Sequence, residues 1–171
     1  DTERYFFTAL RDVQNVINQA EEKDEKHLLG IAYILKSWMF QVMTDIYGDF
    51  PYSEALKGKT DGISYPKYDT QEEIYYDILD KLKQANDLLA EETGETISKD
   101  LIYAGDVVKW QKFANSLRLR MLLRISNTTG VKVDVKGCLE EIVNHPEKYP
   151  LMESNDDNAV FTFLDEEGNQ A

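Results

Sequence analysis

Apolar residues recur at alternating three- and four-residue steps along most of the chain, and this periodicity limits the fold more than any other feature. An α-helix turns once per ~3.6 residues, so such spacing gathers side chains into one stripe that must be buried. Phe6, Leu10, Val13, Ile17 and Ala20 predict a helix over residues 3–22. Asp24 offers a side-chain oxygen to cap a second helix, with a stripe of Leu28, Ala32, Leu35, Met39, Val42 and Ile46. Ile31, Ile34 and Trp38 widen that stripe, which predicts burial on more than one side, and Tyr47-Gly48 ends it with a left-handed residue. Thr70-Gln71-Glu72-Glu73 fits a capping box and opens a third helix, running to Glu92 through Ile74, Ile78, Leu82, Ala85 and Leu89. Asp106 caps a fourth, lined by Trp110, Ala114, Leu117, Met121 and Ile125 and stopped by Asn127-Thr128-Thr129-Gly130. A shorter fifth helix is expected from Asp134 to Asn144, ended by Pro146. Residues 159–164 alternate too weakly to predict more than a short strand. Trp38 and Trp110 should both be core residues.

The expected fold is all-α: antiparallel helical hairpins stacked side by side in a tetratricopeptide-like way, with at most a short strand near the C-terminus. Residues 1–171 read as one helical domain.

Chemistry is limited by what the chain contains. Thirty-two acidic residues against 19 basic ones give a net charge of -13, which repels a phosphate backbone and excludes general nucleic-acid binding. Cys138 is the one cysteine and His27 and His145 are the two histidines, so cysteine-based zinc sites and Ser-His or Cys-His nucleophile pairs are disfavoured. Phosphate-cradling glycine loops, dinucleotide fingerprints and nucleophile elbows do not occur. No catalytic residue, metal ligand or cofactor is therefore expected. Both histidines read as surface residues. Asn155-Asp156-Asp157-Asn158 suggests calcium, but Phe161 stands where an EF-hand loop needs glycine, so a turn is the better reading. Arg118, Arg120 and Arg124 lie among leucines, where a guanidinium needs a partner. Arg120 or Arg124 should pair with a carboxylate inside the fold.

The connection 48–69, GDFPYSEALKGKTDGISYPKYD, holds three of the nine glycines and two of the four prolines. Loops this long are usually functional or mobile, and binding residues concentrate in loops on a rigid scaffold. Tyrosine rings can stack on the C–H faces of sugars, and carboxylates can bond their hydroxyls. Tyr52, Tyr65, Tyr68 and Asp49 are the candidate ligand-binding residues, with Asp61 beside them. Tyr65 and Tyr68 flank Pro66 and should be exposed. Phe50-Pro51-Tyr52 has a second reading, an anchor that folds the loop back onto the helices.

The stretch Ile46-Tyr47-Gly48-Asp49-Phe50-Pro51-Tyr52-Ser53-Glu54-Ala55-Leu56 resembles a signature of the SusD/RagB-like nutrient-binding lipoproteins. Tyr68 to Tyr75, Asp106 to Arg120 and Asn155 to Ala159 resemble further blocks of that family in the same order. The resemblance implies a helical scaffold at the cell surface, held to the outer membrane by an N-terminal lipid. It also implies capture of glycans, or of peptides, in partnership with a SusC-like TonB-dependent transporter. Family chains are much longer and carry a lipidated cysteine that this chain lacks. The chain is therefore expected to be an N-terminal portion, joined to the membrane only through an anchor it does not contain. Apolar surface should be exposed on the second helix and at 159–164. The resemblance implies a binder and not an enzyme. The residues alone leave open an intracellular helical-repeat adaptor and a fragment of an all-helical glycoside hydrolase.

Overall fold

The computed structural model describes residues 2–57 and 62–161, with side chains from Tyr5 onward. Its elements are α1 (Thr2–Lys23), α2 (Lys26–Tyr47), β1 (Phe50–Pro51), β2 (Tyr68–Asp69), α3 (Gln71–Leu89), α4 (Val107–Ile125), α5 (Val135–Asn144) and a 3-10 turn (Asn155–Asp157). The predicted stripes of α1, α3 and α4 merge into a continuous core through Leu10, through Ile74, Ile78 and Leu82, and through Trp110, Leu117 and Met121. Helix α2 turns a shifted face inward, burying Phe40 and Met43 beside the expected Ile31, Ile34 and Met39 and leaving the expected Ile46 66% exposed. Helix α2 packs on both α1 and α3, α3 packs on α4, and α4 packs on α5. The mostly helical, side-by-side hairpin architecture is thus the expected one. Gly30 allows the close approach of α2 to α3, because a Cβ there would lie 3.0 Å from Leu89 Cγ.

Helix ends follow from local chemistry. The capping box forms: Thr70 Oγ1 accepts from Glu73 N, and Glu73 reaches back to Thr70 N. Asp106 accepts from the amides of Val108 and Lys109 at the start of α4. Asp24 does not cap α2. It sits at φ 57 and closes α1, where Glu25 N donates to Ala20 O at 2.9 Å. The cap of α2 comes from far along the chain, since both oxygens of Glu95 accept from the amides of Lys26 and His27, at 2.8 and 3.0 Å. That same segment covers His27, which is 7% exposed and not a surface residue; its ring bonds Glu91 O at 2.8 Å.

Other expectations change as well. Trp38 is 43% exposed, because its position lies at the edge of the α2 stripe and no described element covers it. Trp110 is buried as expected, edge-on to Tyr103 at 5.1 Å and donating from Nε1 to Asp100. Helix α3 ends at Leu89 and not at Glu92. The strand pair lies within the 48–69 connection, antiparallel, with Phe50 opposite Asp69 and Pro51 opposite Tyr68. Residues 159–161 are irregular, and 162–164 lie outside the described residues. Asn155–Asp157 forms a turn in which buried Asp157 pairs with Lys112 at 3.0 Å and fastens the C-terminal segment to α4.

Candidate ligand-binding site

The connection after α2 is held by one carboxylate. Asp69 accepts from Tyr52 N (3.1 Å), Ser53 N (2.6 Å) and Ser53 Oγ (2.8 Å), and pairs with Lys67 at 3.1 Å. Burial pushes its pKa up, but the Ser53 bonds, then Lys67 and Tyr52, outweigh burial and hold it below the usual carboxylate range. Tyr52 packs edge-on against Phe40 at 4.6 Å and donates its hydroxyl to Asp77. Burial first, and Asp77 second, raise the pKa of that hydroxyl. Phe50 is buried between Phe7 and Tyr47, stacked on each. Phe50, Pro51 and Tyr52 therefore act as the loop's anchor.

The four candidate residues separate into two groups. Tyr52 is spent on the anchor, although one side of it lines a cleft. Asp49 is exposed, and its Oδ1 accepts from Gln71 N at 2.9 Å, which secures the start of α3. Tyr65 and Tyr68 are 94% and 71% exposed and line neither of two clefts on the protein. Their rings are available for stacking on a flat ligand. Asp61 lies outside the described residues.

The larger cleft, about 1320 Å³, opens between α1, the 52–57 segment and α3, with Lys36 of α2 at its side. Sequence reasoning passed over it, because its polar residues look like the ordinary wet faces of α1 and α3. Its five carboxylates each hold a bond: Asp12 from Arg11 at 3.3 Å, Glu21 from the Tyr33 hydroxyl at 3.1 Å, Asp77 from Tyr52, and Asp69 and Glu73 through the loop and cap bonds above. Burial, then Glu21, raises the Tyr33 hydroxyl to about 12. Lys36 differs. Among the described residues its Nζ meets only Gln14 Oε1, at 2.7 Å, and no carboxylate pairs with it. Burial lowers its pKa, Asp77 opposes that, and Lys81 adds to it.

A smaller cleft of about 510 Å³ lies beside the end of α4. There Arg124 pairs with Asp45 at 3.0 Å, and the Tyr75 hydroxyl donates to the same carboxylate. Arg124 thus has the expected carboxylate partner, whereas Arg120 donates to Gln41 Oε1 at 2.9 Å. The deeply buried guanidinium is that of Arg118, paired with Glu141 at 3.1 Å. Among the described residues no group of His, Cys, Asp and Glu is placed to hold a metal ion, and no helix is long and apolar enough to cross a membrane.

Stacked helical hairpins carrying a carboxylate-anchored loop make up the described fold. The profile of the SusD-like family, described as starch-binding and associating with the outer membrane, matches residues 2–171. Solved structures agree. A SusD homologue from Bacteroides fragilis is 33% identical with a TM-score of 0.83, covering 96% of this chain and 34% of its own. A Bacteroides vulgatus outer membrane protein described in terms of nutrient binding is 37% identical with a TM-score of 0.81, covering 96% and 35%. A chitin-binding protein is 34% identical with a TM-score of 0.74, covering 91% and 32%. No curated protein matches. The chain belongs to the SusD-like family, and it spans about a third of the length of these solved relatives.

Proposed function

We propose that the chain is the N-terminal portion of an outer-membrane nutrient-binding protein that captures glycans at the cell surface without chemical conversion. The match of the SusD-like family to residues 2–171 carries this reading. The exposed rings of Tyr65 and Tyr68 support it, because they offer flat apolar faces on a loop that is firmly rooted at both ends. The same family membership supports delivery to a SusC-like TonB-dependent transporter and attachment through a lipid outside this chain. The test is calorimetry of the full-length protein against a panel of oligosaccharides, with product analysis of each mixture. Binding without new products is the expected result. Release of shorter sugars would move the protein to the hydrolases, and binding of peptides alone would change its substrate class.

A further inference from the structure

The large cleft shows an imbalance between its hydrogen-bonding groups. Each of its carboxylates already accepts at least one bond, Asp12 from its neighbour Arg11 and the others as described above, and none of them pairs with Lys36. Donors remain. Lys36 Nζ gives one of its three protons to Gln14. Gln14 Nε2 in turn donates to Asn18 Oδ1 at 2.8 Å, which leaves the Asn18 amide NH₂ unused. Asn15, one residue beyond Gln14, has no hydrogen bond among the described residues. Among the described residues Arg11 bonds only its neighbour Asp12, at 3.3 Å, on an exposed face. A half-buried ammonium with one hydrogen bond and no carboxylate at ion-pair distance is an incomplete arrangement, since a charge removed from water needs a close counter-charge or several bonds, and Asp77 and Glu21 act on Lys36 only from farther off.

We propose that this cleft binds a sugar acid within a glycan, with the ligand carboxylate on Lys36 and its hydroxyls on Asn15 and Asn18. The proposal rests on the glycan-capture reading and names the substrate class for a second place on the surface, separate from Tyr65 and Tyr68. A carboxylate matches the unpaired ammonium. Sugar hydroxyls match the amides, which both donate and accept. The net charge of -13 disfavours a polyanion, so a mostly neutral glycan with one acidic unit suits the cleft best.

The probe is xylotriose bearing a single glucuronic acid, with unsubstituted xylotriose as its neutral counterpart, both titrated calorimetrically into the chain and into the full-length protein. The acidic probe should bind roughly tenfold tighter than the neutral one, the scale of one charge-assisted contact. Lys36→Met should abolish that preference, and Lys36→Arg should keep part of it. Asn15→Ala, on the exposed face of α1, should weaken the acidic probe several-fold at unchanged melting temperature, and it carries the test if Lys36→Met misfolds. Equal binding of both probes, or of neither, overturns the proposal. So does a preference that survives Lys36→Met. If a short glutamate peptide binds at Lys36 and the acidic sugar does not, the cleft belongs to peptides and the assignment fails. If Tyr65→Ala and Tyr68→Ala abolish glycan binding while Lys36→Met has no effect, this proposal fails and the glycan-capture reading stands.

Discussion

The two long helical hairpins are built from the same kind of apolar stripe but use their polar residues in opposite ways. In the α3/α4 hairpin a set of polar groups is buried and turned on one another. Asn115 Nδ2 donates to Asn86 Oδ1 at 2.9 Å and Gln111 Nε2 donates to Asn86 O at 3.2 Å. Beside them Glu141 gathers Arg118, Lys83 and the Tyr149 hydroxyl. In the α1/α2 hairpin the amides of Asn15 and Asn18 face a cleft, and among the described residues no carboxylate pairs with Lys36. Buried networks fix one arrangement of the helices, even though Asn115 Oδ1 and two nitrogens of Arg118 find no partner among the described residues, whereas polar groups open to a surface cleft are what a ligand can use. One hairpin holds the scaffold and the other presents groups on it.

The strongest way to break this comparison is to open the closed hairpin. Trp110→Ala removes a fully buried ring, its edge contact with Tyr103 and the bond to Asp100. It should cost about 3–5 kcal/mol, seen as a large fall in melting temperature or denaturant midpoint. Lys36→Met in the open hairpin should stay within ~1 kcal/mol of the parent protein. Equal losses in the two variants would mean that both hairpins are structural.

Asp69→Ala tests the boundary between scaffold and loop. It leaves the amides of Tyr52 and Ser53 without their acceptor and should cost about 1–3 kcal/mol. Hydrogen exchange should speed up at Tyr52 and Ser53 while the α3 and α4 amides stay protected. Uniform acceleration through α4 would show that the loop is part of the core.

Acid should weaken the closed hairpin. Burial pushes the Glu141 pKa up, but bonds from Lys83, Tyr149 and Arg118 outweigh burial and bring it to about 2. A depressed folded-state pKa means that the stabilisation is present above the ordinary value, 4.5, and fades as pH falls from there towards 2. Glu141→Gln should therefore lie below the parent protein in stability near neutral pH and approach it on acidification. Parallel pH–stability curves for the two proteins would remove Glu141 as a source of acid sensitivity.

Much of this division was legible in the sequence, and the reasons for the misses are physical. Helix positions follow from 3.6-residue spacing and short-range caps such as Thr70 and Asp106, which are local. The Glu95 cap on α2 joins residues almost 70 positions apart, so no local pattern signals it, and the burial of His27 follows from that same contact. Trp38 has the spacing of a core residue, yet stripe membership does not say where the covering surface stops. In the loop, the anchor role of Phe50 to Tyr52 and the exposure of Tyr65 and Tyr68 could be read from their positions around Pro51 and Pro66. The identity of Asp69 as the central acceptor could not, because it depends on which strand residues face each other. The Lys36 cleft was hidden for a similar reason: an unpaired charge is recognised only after every nearby carboxylate has been given its partner.

The smallest expected effect on stability is also the one that bears most directly on capture. Tyr65 and Tyr68 form no part of the core, so alanine at either position should leave the melting temperature unchanged. Each ring should nevertheless contribute about 1–2 kcal/mol to holding a glycan, the scale of one aromatic contact. The loop can deliver that contribution because its ends are fixed: Pro51 pairs with Tyr68, and Asp69 ties Tyr52 and Ser53 in place. A ring on a fixed strand loses little conformational entropy on binding, whereas one on an untethered loop loses more. Asp69→Ala should therefore weaken glycan binding in the full-length protein even though Asp69 touches no ligand, and combining it with Tyr68→Ala should cost less than the sum of the two. Full additivity would separate the anchor from the rings. Unchanged affinity in Tyr65→Ala and Tyr68→Ala, measured with a confirmed glycan, would take this loop out of the binding surface altogether.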